Sequence, residues 1–179
     1  MRCFVAVELP DSLRTEILAF QSELHMLMPR LRLIPAENLH LTLVFLGNLE
    51  ANRVSQVQSL TAQIEISRFE IAPAGLSAFP TLSRPHVIWI GLQGQVQQLT
   101  ALFQQLASKF STLGLTLEDR DYIPHITIAK LDRVKRIEPI PPVPPWSFSP
   151  FPVERIHLFE SIPPRPYRKL ASSCSTPSP

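Results

Sequence analysis

The sequence predicts a bilobal α+β protein: two pseudo-symmetric β-α-β lobes whose mainly antiparallel sheets line a central cleft, with helices outside. Three observations predict it. Segments with strand period alternate with segments of helical period along the chain. The order strand–helix–strand occurs twice, over 3–7, 11–27 and 39–45 and again over 86–92, 95–110 and 125–131. The second pass repeats a polar signature of the first, since His40-Leu41-Thr42-Leu43 is echoed by His125-Ile126-Thr127-Ile128. Phe4 to His40 and Val87 to Ile126 are spaced about equally, so one bilobal domain with internal duplication over 1–179 is expected.

Taken in order, residues 3–7 (CFVAV) are an apolar run stopped by Pro10 and read as a buried strand. Leu13, Ile17, Phe20 and Leu24 recur at helical spacing after a potential cap at Asp11 or Ser12, and Pro29 bounds them. Residues 31–34 suggest a short strand. Residues 39–45 alternate before a turn at Gly47-Asn48. Val54, Val57, Leu60 and Ile64 predict a second helix over 50–66. Phe69 and Ile71 suggest an edge strand, and Pro73, Gly75 and Pro80 a long loop over 72–85. A strand over 86–92 follows, then a helix over 95–110 carried by Val96, Leu99, Leu102, Phe103, Leu106 and Phe110. Residues 125–131 and 153–159 alternate as strands. Between them, 139–152 holds seven prolines in fourteen residues, which excludes a central strand or helix and leaves a surface crossing or flap. The Ser/Thr/Pro tail over 172–179 is expected to fray.

Composition narrows the function. The chain has 179 residues with 45% hydrophobic and 18% charged, enough for one ordinary core and not a disordered chain. Seventeen Lys and Arg against fifteen Asp and Glu leave an excess of two, which excludes a wrapped polyanion and leaves room for a local phosphate site. Cys3 lies in an apolar run and Cys174 in a Ser-rich tail, so neither a Cys-based zinc site nor a disulfide framework is expected. No stretch approaches 18 apolar residues and the N-terminal run is too short for a signal peptide, so a soluble cytoplasmic protein is the expectation.

The repeated His-x-Thr elements carry the chemistry. In a strand, residues i and i+2 share a face, so His40 and Thr42 oppose Leu41 and Leu43, and His125 and Thr127 oppose Ile126 and Ile128. A pseudo-two-fold axis would bring two imidazoles and two hydroxyls together across one cleft. A neutral imidazole takes a proton from water, and an imidazolium gives one to a leaving oxygen. Placed either side of a phosphorus they suit in-line displacement, with the hydroxyls donating to non-bridging oxygens where charge builds. Nothing here demands a metal, and no cofactor is expected.

The other candidates divide by position. His86, after Pro85, reads as an exposed strand-end histidine, and His25 as surface. His157 shares a strand face with Arg155 and Phe159, at the cleft or its rim. Trp89 reads as core, Phe79 as a loop aromatic able to stack on a nucleobase, and Trp146 as a pin for the proline-rich crossing. Arg120, Arg133, Lys135 and Arg136 flank the second motif, and Arg165, Arg168 and Lys169 follow the last strand; a solvated rim is their default reading, with RNA backbone contact the alternative.

The chain resembles the 2H phosphoesterases, and within them the RNA 2′,3′-cyclic phosphodiesterases, also called 2′-5′ RNA ligases. The resemblance rests on FVAVELP at 4–10, ENLHLTLVFLG at 37–47 and PHITIAK at 124–130, and runs to Tyr167 and Leu170. It implies metal-independent opening of RNA 2′,3′-cyclic phosphate ends to 2′-phosphomonoesters. His40 would protonate the departing 3′ oxygen and His125 would deprotonate water, or the reverse, while Thr42 and Thr127 hold phosphoryl oxygens. Family members commonly carry Arg where this chain has Lys130, which keeps the charge and loses the bidentate fork; Lys130 is taken to follow His125 and Thr127 onto the cleft side. The partners implied are RNA ends, tRNA-like or short, met by a monomer away from membranes. A 2′-5′ ligase, an RNA-end binder with slight hydrolysis, or a phosphodiesterase for a small cyclic phosphate are the alternatives. Loops 72–85 and 138–152 would set substrate size.

Overall fold

A computed structural model describes residues 1–117, 121–131, 140, 141, 143, 146–163 and 165–175. Its elements are β1 (Arg2–Glu8), α1 (Asp11–Leu27), β2 (Arg32–Leu33), β3 (His40–Asn48), α2 (Ala51–Ala62), β4 (Glu65–Ile66), β5 (Phe69–Thr81), β6 (Arg84–Gly94), α3 (Val96–Ser111), β7 (Ile126–Lys130), β8 (Phe151–Val153), β9 (His157–Glu160), β10 (Arg168–Ser172) and β11 (Cys174–Ser175). A 3-10 turn over Ala36–Asn38 leads into β3.

Eight strands lie in the order β10-β9-β1-β3-β7-β6-β5-β8, with β2 added beside β7, and β4 and β11 make a separate parallel pair. Every pairing in the large sheet is antiparallel. Its midline is narrow: β3 and β7 are paired at Leu41↔Ile126 alone. The first lobe is the half β10-β9-β1-β3 and the second is β7-β6-β5-β8.

The helices cover one face. From α1, Leu13, Ile17, Phe20 and Leu24 are buried, and from α3, Leu99, Leu102, Leu106 and Phe110. Each such side chain removed from water stabilises the fold by roughly 1.5–3 kcal/mol. They meet the sheet's inward residues, among them Leu41, Leu43, Ile88, Ile90, Ile126 and Ile128. The helices also cross the midline, α1 against β7 and α3 against β3. Among the described residues no helix covers the opposite face of the sheet, which carries the polar alternates.

Four expectations need correction. The loop over 72–85 is instead most of a hairpin, with β5 running to Thr81 and β6 starting at Arg84. Its prolines are tolerated because β8 pairs only with Phe69 to Ile71, so beyond that point β5 is an edge whose missing N–H groups leave no partner unsatisfied. Gly75, at φ +72°, sits at a bulge between Ala74 and Leu76. The helix over 50–66 stops at Ala62, and Ile64 and Ile66 alternate inward into β4. The single strand over 153–159 is two strands. β8 ends at Val153 on the outer edge of the second lobe, and β9 begins at His157 beside β1 in the first, so the intervening residues carry the chain from one lobe to the other. Finally, the tail from Ser172 is not frayed at its start: Ser172 ends β10, Ser173 is buried with its hydroxyl accepting from Ile156 N, and β11 pairs with β4. Residues 176–179 lie outside the described residues, as do Arg120, Arg133, Lys135, Arg136 and parts of 138–145.

Candidate active site

Antiparallel geometry about Leu41↔Ile126 sets His40 opposite Thr127 and Thr42 opposite His125. Directly opposed side chains share a face, so all four converge on the helix-free side of the sheet. Diagonal neighbours in such a ladder stand about 7–8 Å apart, the span of one phosphoryl group with a hydrogen bond on either side. Burial of Leu41 and Ile126 beneath them locks the register, since a one-residue slip would turn both histidines into the core.

The two imidazoles are held in the same way. His40 Nδ1 lies 2.7 Å from the Asn38 carbonyl, and His125 Nδ1 lies 2.7 Å from the Ile123 carbonyl. A carbonyl only accepts, so each Nδ1 carries the proton and each Nε2 is left for chemistry. Burial pushes the His40 pKa down to about 4, against a raising hydrogen bond to Asn38, with the His125 and Lys130 charges lowering it further. Burial lowers His125 as well, and the Ile123 carbonyl offsets part of that. Aromatic rings buttress both. Phe4 and Tyr167 lie 4.9 and 5.1 Å from His40, and Phe79 and Trp89 lie 5.1 and 5.5 Å from His125.

Lys130 reaches the same face by a different route from the one expected. Counting by twos from His125 selects 127 and 129, and places 130 on the opposite side. The strand does not alternate throughout. Trp89 pairs with Thr127 and Ile88 with Ala129, so Ile128 is an extra residue in β7. Ile128 and Ala129 are both buried, and Lys130, opposite Val87, is turned back to the site face and exposed. Its charge is felt at His40. The first lobe repeats the device. Val5 pairs with Val44 and Ala6 with Thr42, so Leu43 is extra in β3. Leu43 and Val44 are both buried, and Phe45 emerges where the second lobe has Lys130, 50% exposed.

Of the other candidates, some stand elsewhere than the sequence suggested and some stand where it placed them. Trp89 is not core; it faces His125 and stacks near Phe79 at 5.0 Å, with its indole N–H unpartnered. Phe79 belongs to β5, not to a loop. Trp146 packs on Phe20 at 5.1 Å and donates to Glu23 Oε2, pinning the crossing to α1. His86 is half-buried in β6 on the face of Ile88 and Ile90, away from the site. His157 is buried on the site face, with Nε2 3.3 Å from Glu8 Oε2 and Nδ1 2.7 Å from Ser172 Oγ. Lys169 donates to Glu8 at 2.6 Å and Arg168 pairs with Glu160, so these two cations are committed to carboxylates. Burial pushes Glu8 upward, but the Lys169 hydrogen bond and the His157 charge outweigh it and hold the carboxyl below its usual range.

Sequence reasoning missed Glu8, which pairs with His40 across β1 and β3. The signal was there: it shares parity with Phe4 and Ala6 at the end of an apolar strand. Among the described residues, no cluster of three or more His, Cys, Asp or Glu has the geometry to hold a metal ion. Among the same residues, no helix is long and apolar enough to cross a membrane.

Two histidines with free Nε2 atoms, flanked by hydroxyls and a cation on one sheet face, define a phosphoesterase of the two-histidine class. A family model described as LigT like phosphoesterase matches residues 7–89 and again 90–167, and the chain belongs to that family, the RNA 2′,3′-cyclic phosphodiesterases of the 2H superfamily. An RNA 2′,3′-cyclic phosphodiesterase of Methanocaldococcus jannaschii is 30% identical over 165 residues, covering 90% of this chain and 91% of its own. One from Archaeoglobus fulgidus is 33% identical, covering 74% of each. Among solved structures, Escherichia coli LigT complexed with 3′-AMP superposes with a TM-score of 0.77 at 27% identity, covering 96% of this chain and 95% of the other.

Proposed function

We propose that the protein hydrolyses RNA 2′,3′-cyclic phosphate ends to 2′-phosphomonoesters by acid–base catalysis between His40 and His125. His125 Nε2 takes a proton from water as the water oxygen bonds to phosphorus. The P–O3′ bond breaks, and His40 Nε2–H delivers its proton to the departing 3′ oxygen. Thr42 and Thr127 donate to the non-bridging oxygens, and Lys130 offsets the charge that builds there. Both imidazoles are neutral at pH 7 in the free protein by the direction of their shifts. The anionic phosphodiester favours the imidazolium and so supplies the proton-bearing state on binding.

The observation that carries this reading is the matched anchoring of the two Nδ1–H groups on backbone carbonyls, which leaves both Nε2 atoms unanchored, with the His125 charge felt at His40. A residue that only filled space would not need its tautomer fixed twice. The scheme runs without a metal, and activity is expected to persist in EDTA. The repeated element order, the paired bulges and the two matched spans support a single duplicated domain over 1–179. A monomer acting on short or tRNA-like ends in the cytoplasm fits the small net charge.

End-product analysis on an RNA carrying a 2′,3′-cyclic phosphate tests the proposal. A 2′-phosphate end is expected. A 3′-phosphate would reverse the leaving oxygen, and an intact cyclic end under all conditions would end the hydrolase reading.

A further inference from the structure

The midline of the sheet is closed on one side and open on the other. Past Leu41↔Ile126, β7 continues beside β2, with Arg32↔Lys130 and Leu33↔Ala129 paired. Ile34 N donates to the Ile128 carbonyl at 2.8 Å, and Gln21 Nε2, reaching in from α1, donates to the carbonyls of Ile34 and Ile128. That half of the midline is filled. In the other half, no described strand lies beside Thr42–Phe45 on the β7 side. On that side Tyr122 donates its hydroxyl to the Thr42 carbonyl at 3.3 Å. A slot of about 340 Å³ lies here, with Thr42 and His125 among its lining residues.

We infer that this slot receives the base of the nucleotide that carries the cyclic phosphate, with guanine favoured. The inference rests on the phosphodiesterase reading and names the part of the substrate beyond phosphorus. Among the described residues the lining includes Phe45, Phe103, Leu117, Tyr122 and Ile123, with Asp121 as the carboxylate. Phe103 and Tyr122 stack at 4.6 Å and 8°, making a flat wall. Flat apolar walls accept any base by its π-face, and burial holds the Tyr122 phenol neutral, so the wall carries no charge. The slot shares Thr42 and His125 with the phosphate site, so a ribose linked to that phosphate begins at its mouth. The two lobes orient the ligand: Lys130 offers a cation to phosphoryl oxygens, and Phe45, its counterpart, offers a ring to the base. A carboxylate only accepts hydrogen bonds, and guanine alone presents two adjacent N–H donors on its pairing edge.

The test compares guanosine and uridine 2′,3′-cyclic phosphates with ethylene phosphate, a five-membered cyclic phosphate that has no base, on the wild type, Leu117→Trp, Phe45→Ala and Asp121→Asn. Wild type should show a KM for the nucleosides roughly tenfold or more below that for ethylene phosphate. Leu117→Trp, which fills the slot, should raise the nucleoside KM at least ~10-fold more than the ethylene phosphate KM. Phe45→Ala, an exposed site that leaves the core intact, should do the same more weakly, and Asp121→Asn should narrow the guanosine preference. Equal KM values with and without a base, or proportionate losses in Leu117→Trp, would overturn the slot assignment while leaving the hydrolase reading in place. If no substrate is turned over, that reading fails by itself; titration with guanosine 2′-monophosphate against inorganic phosphate still decides the slot. Tighter nucleotide binding lost in Leu117→Trp upholds it, and equal binding overturns it.

Discussion

The two lobes differ less in their machinery than in what they set beside it. Over His40–Phe45 the chain reads HLTLVF, and over His125–Lys130 it reads HITIAK. In both, a carbonyl two residues upstream fixes the histidine tautomer, the hydroxyl follows on the same face, and a bulge buries two consecutive apolar residues. The bulge then returns the sixth residue to the site, where one lobe shows a phenyl ring and the other an ammonium. The likeness covers the groups proposed to move protons and hold oxygens and the bulge that follows them. Difference is confined to the groups that would tell one end of a substrate from the other. A symmetric pair of lobes would bind a phosphate in two orientations; under the proposed function, Lys130 against Phe45 would remove that degeneracy.

The comparison can be broken most directly at the shared part. His40→Ala and His125→Ala should each lower kcat/KM on a 2′,3′-cyclic RNA end by at least ~100-fold, and the double variant should lose little more, because acid and base act as a unit. A large loss in one single variant alone would show that only one lobe does chemistry. The unshared part gives the next effect. Lys130→Ala should lower kcat/KM by about tenfold or more, mostly through kcat, if the cation answers charge that develops in the transition state; steady-state kinetics separates this from a rise in KM alone.

The pH dependence sharpens the same point. Both histidines are depressed in the free protein, His40 to about 4, so kcat/KM should peak below pH 6.5, with an acid limb near pH 4 and a fall as pH rises. Bound phosphodiester raises both values, so the kcat optimum should lie at higher pH. The Lys130 charge lowers His40, so Lys130→Ala should move the His40 titration, followed by NMR, upward. The smallest effects concern the midline. Gln21→Leu leaves buried carbonyls of Ile34 and Ile128 without that donor and should cost about 1–3 kcal/mol in denaturant unfolding. Tyr122→Phe loses one long hydrogen bond and should cost about 1 kcal/mol or less.

What could be read from sequence follows from period. The three helices, the first two strands of each repeat and the His-x-Thr faces were legible because alternation and 3.6-residue spacing are local. The proline-bearing β5 was not, because whether a proline breaks a strand depends on which edge lies open, and that is decided by where β8 pairs. Nor was the break after Val153: Val153, Arg155 and His157 alternate smoothly while the chain leaves one sheet half for the other. Lys130 is the sharpest instance. Alternation places it in the core, and only pairing with Val87 across a bulge returns it to the site face. Trp89 read as core for the related reason that an indole inside an apolar strand gives no sign of which face it takes.

One feature of the topology governs how this chain comes together in time. β5 and β6 are joined across Leu82 and Ser83 and meet as soon as both have been made. β1 precedes that hairpin in the chain, yet its outer neighbour is β9, which follows it, with Phe4 paired to Phe159. That contact closes a long loop, and its ordering entropy is recovered only late. The hairpin lobe is therefore the natural seed for assembly on the ribosome. The strand that opposes His40 stays half-clad until β9 has emerged, so the surroundings of His40 are completed after the hairpin lobe has paired.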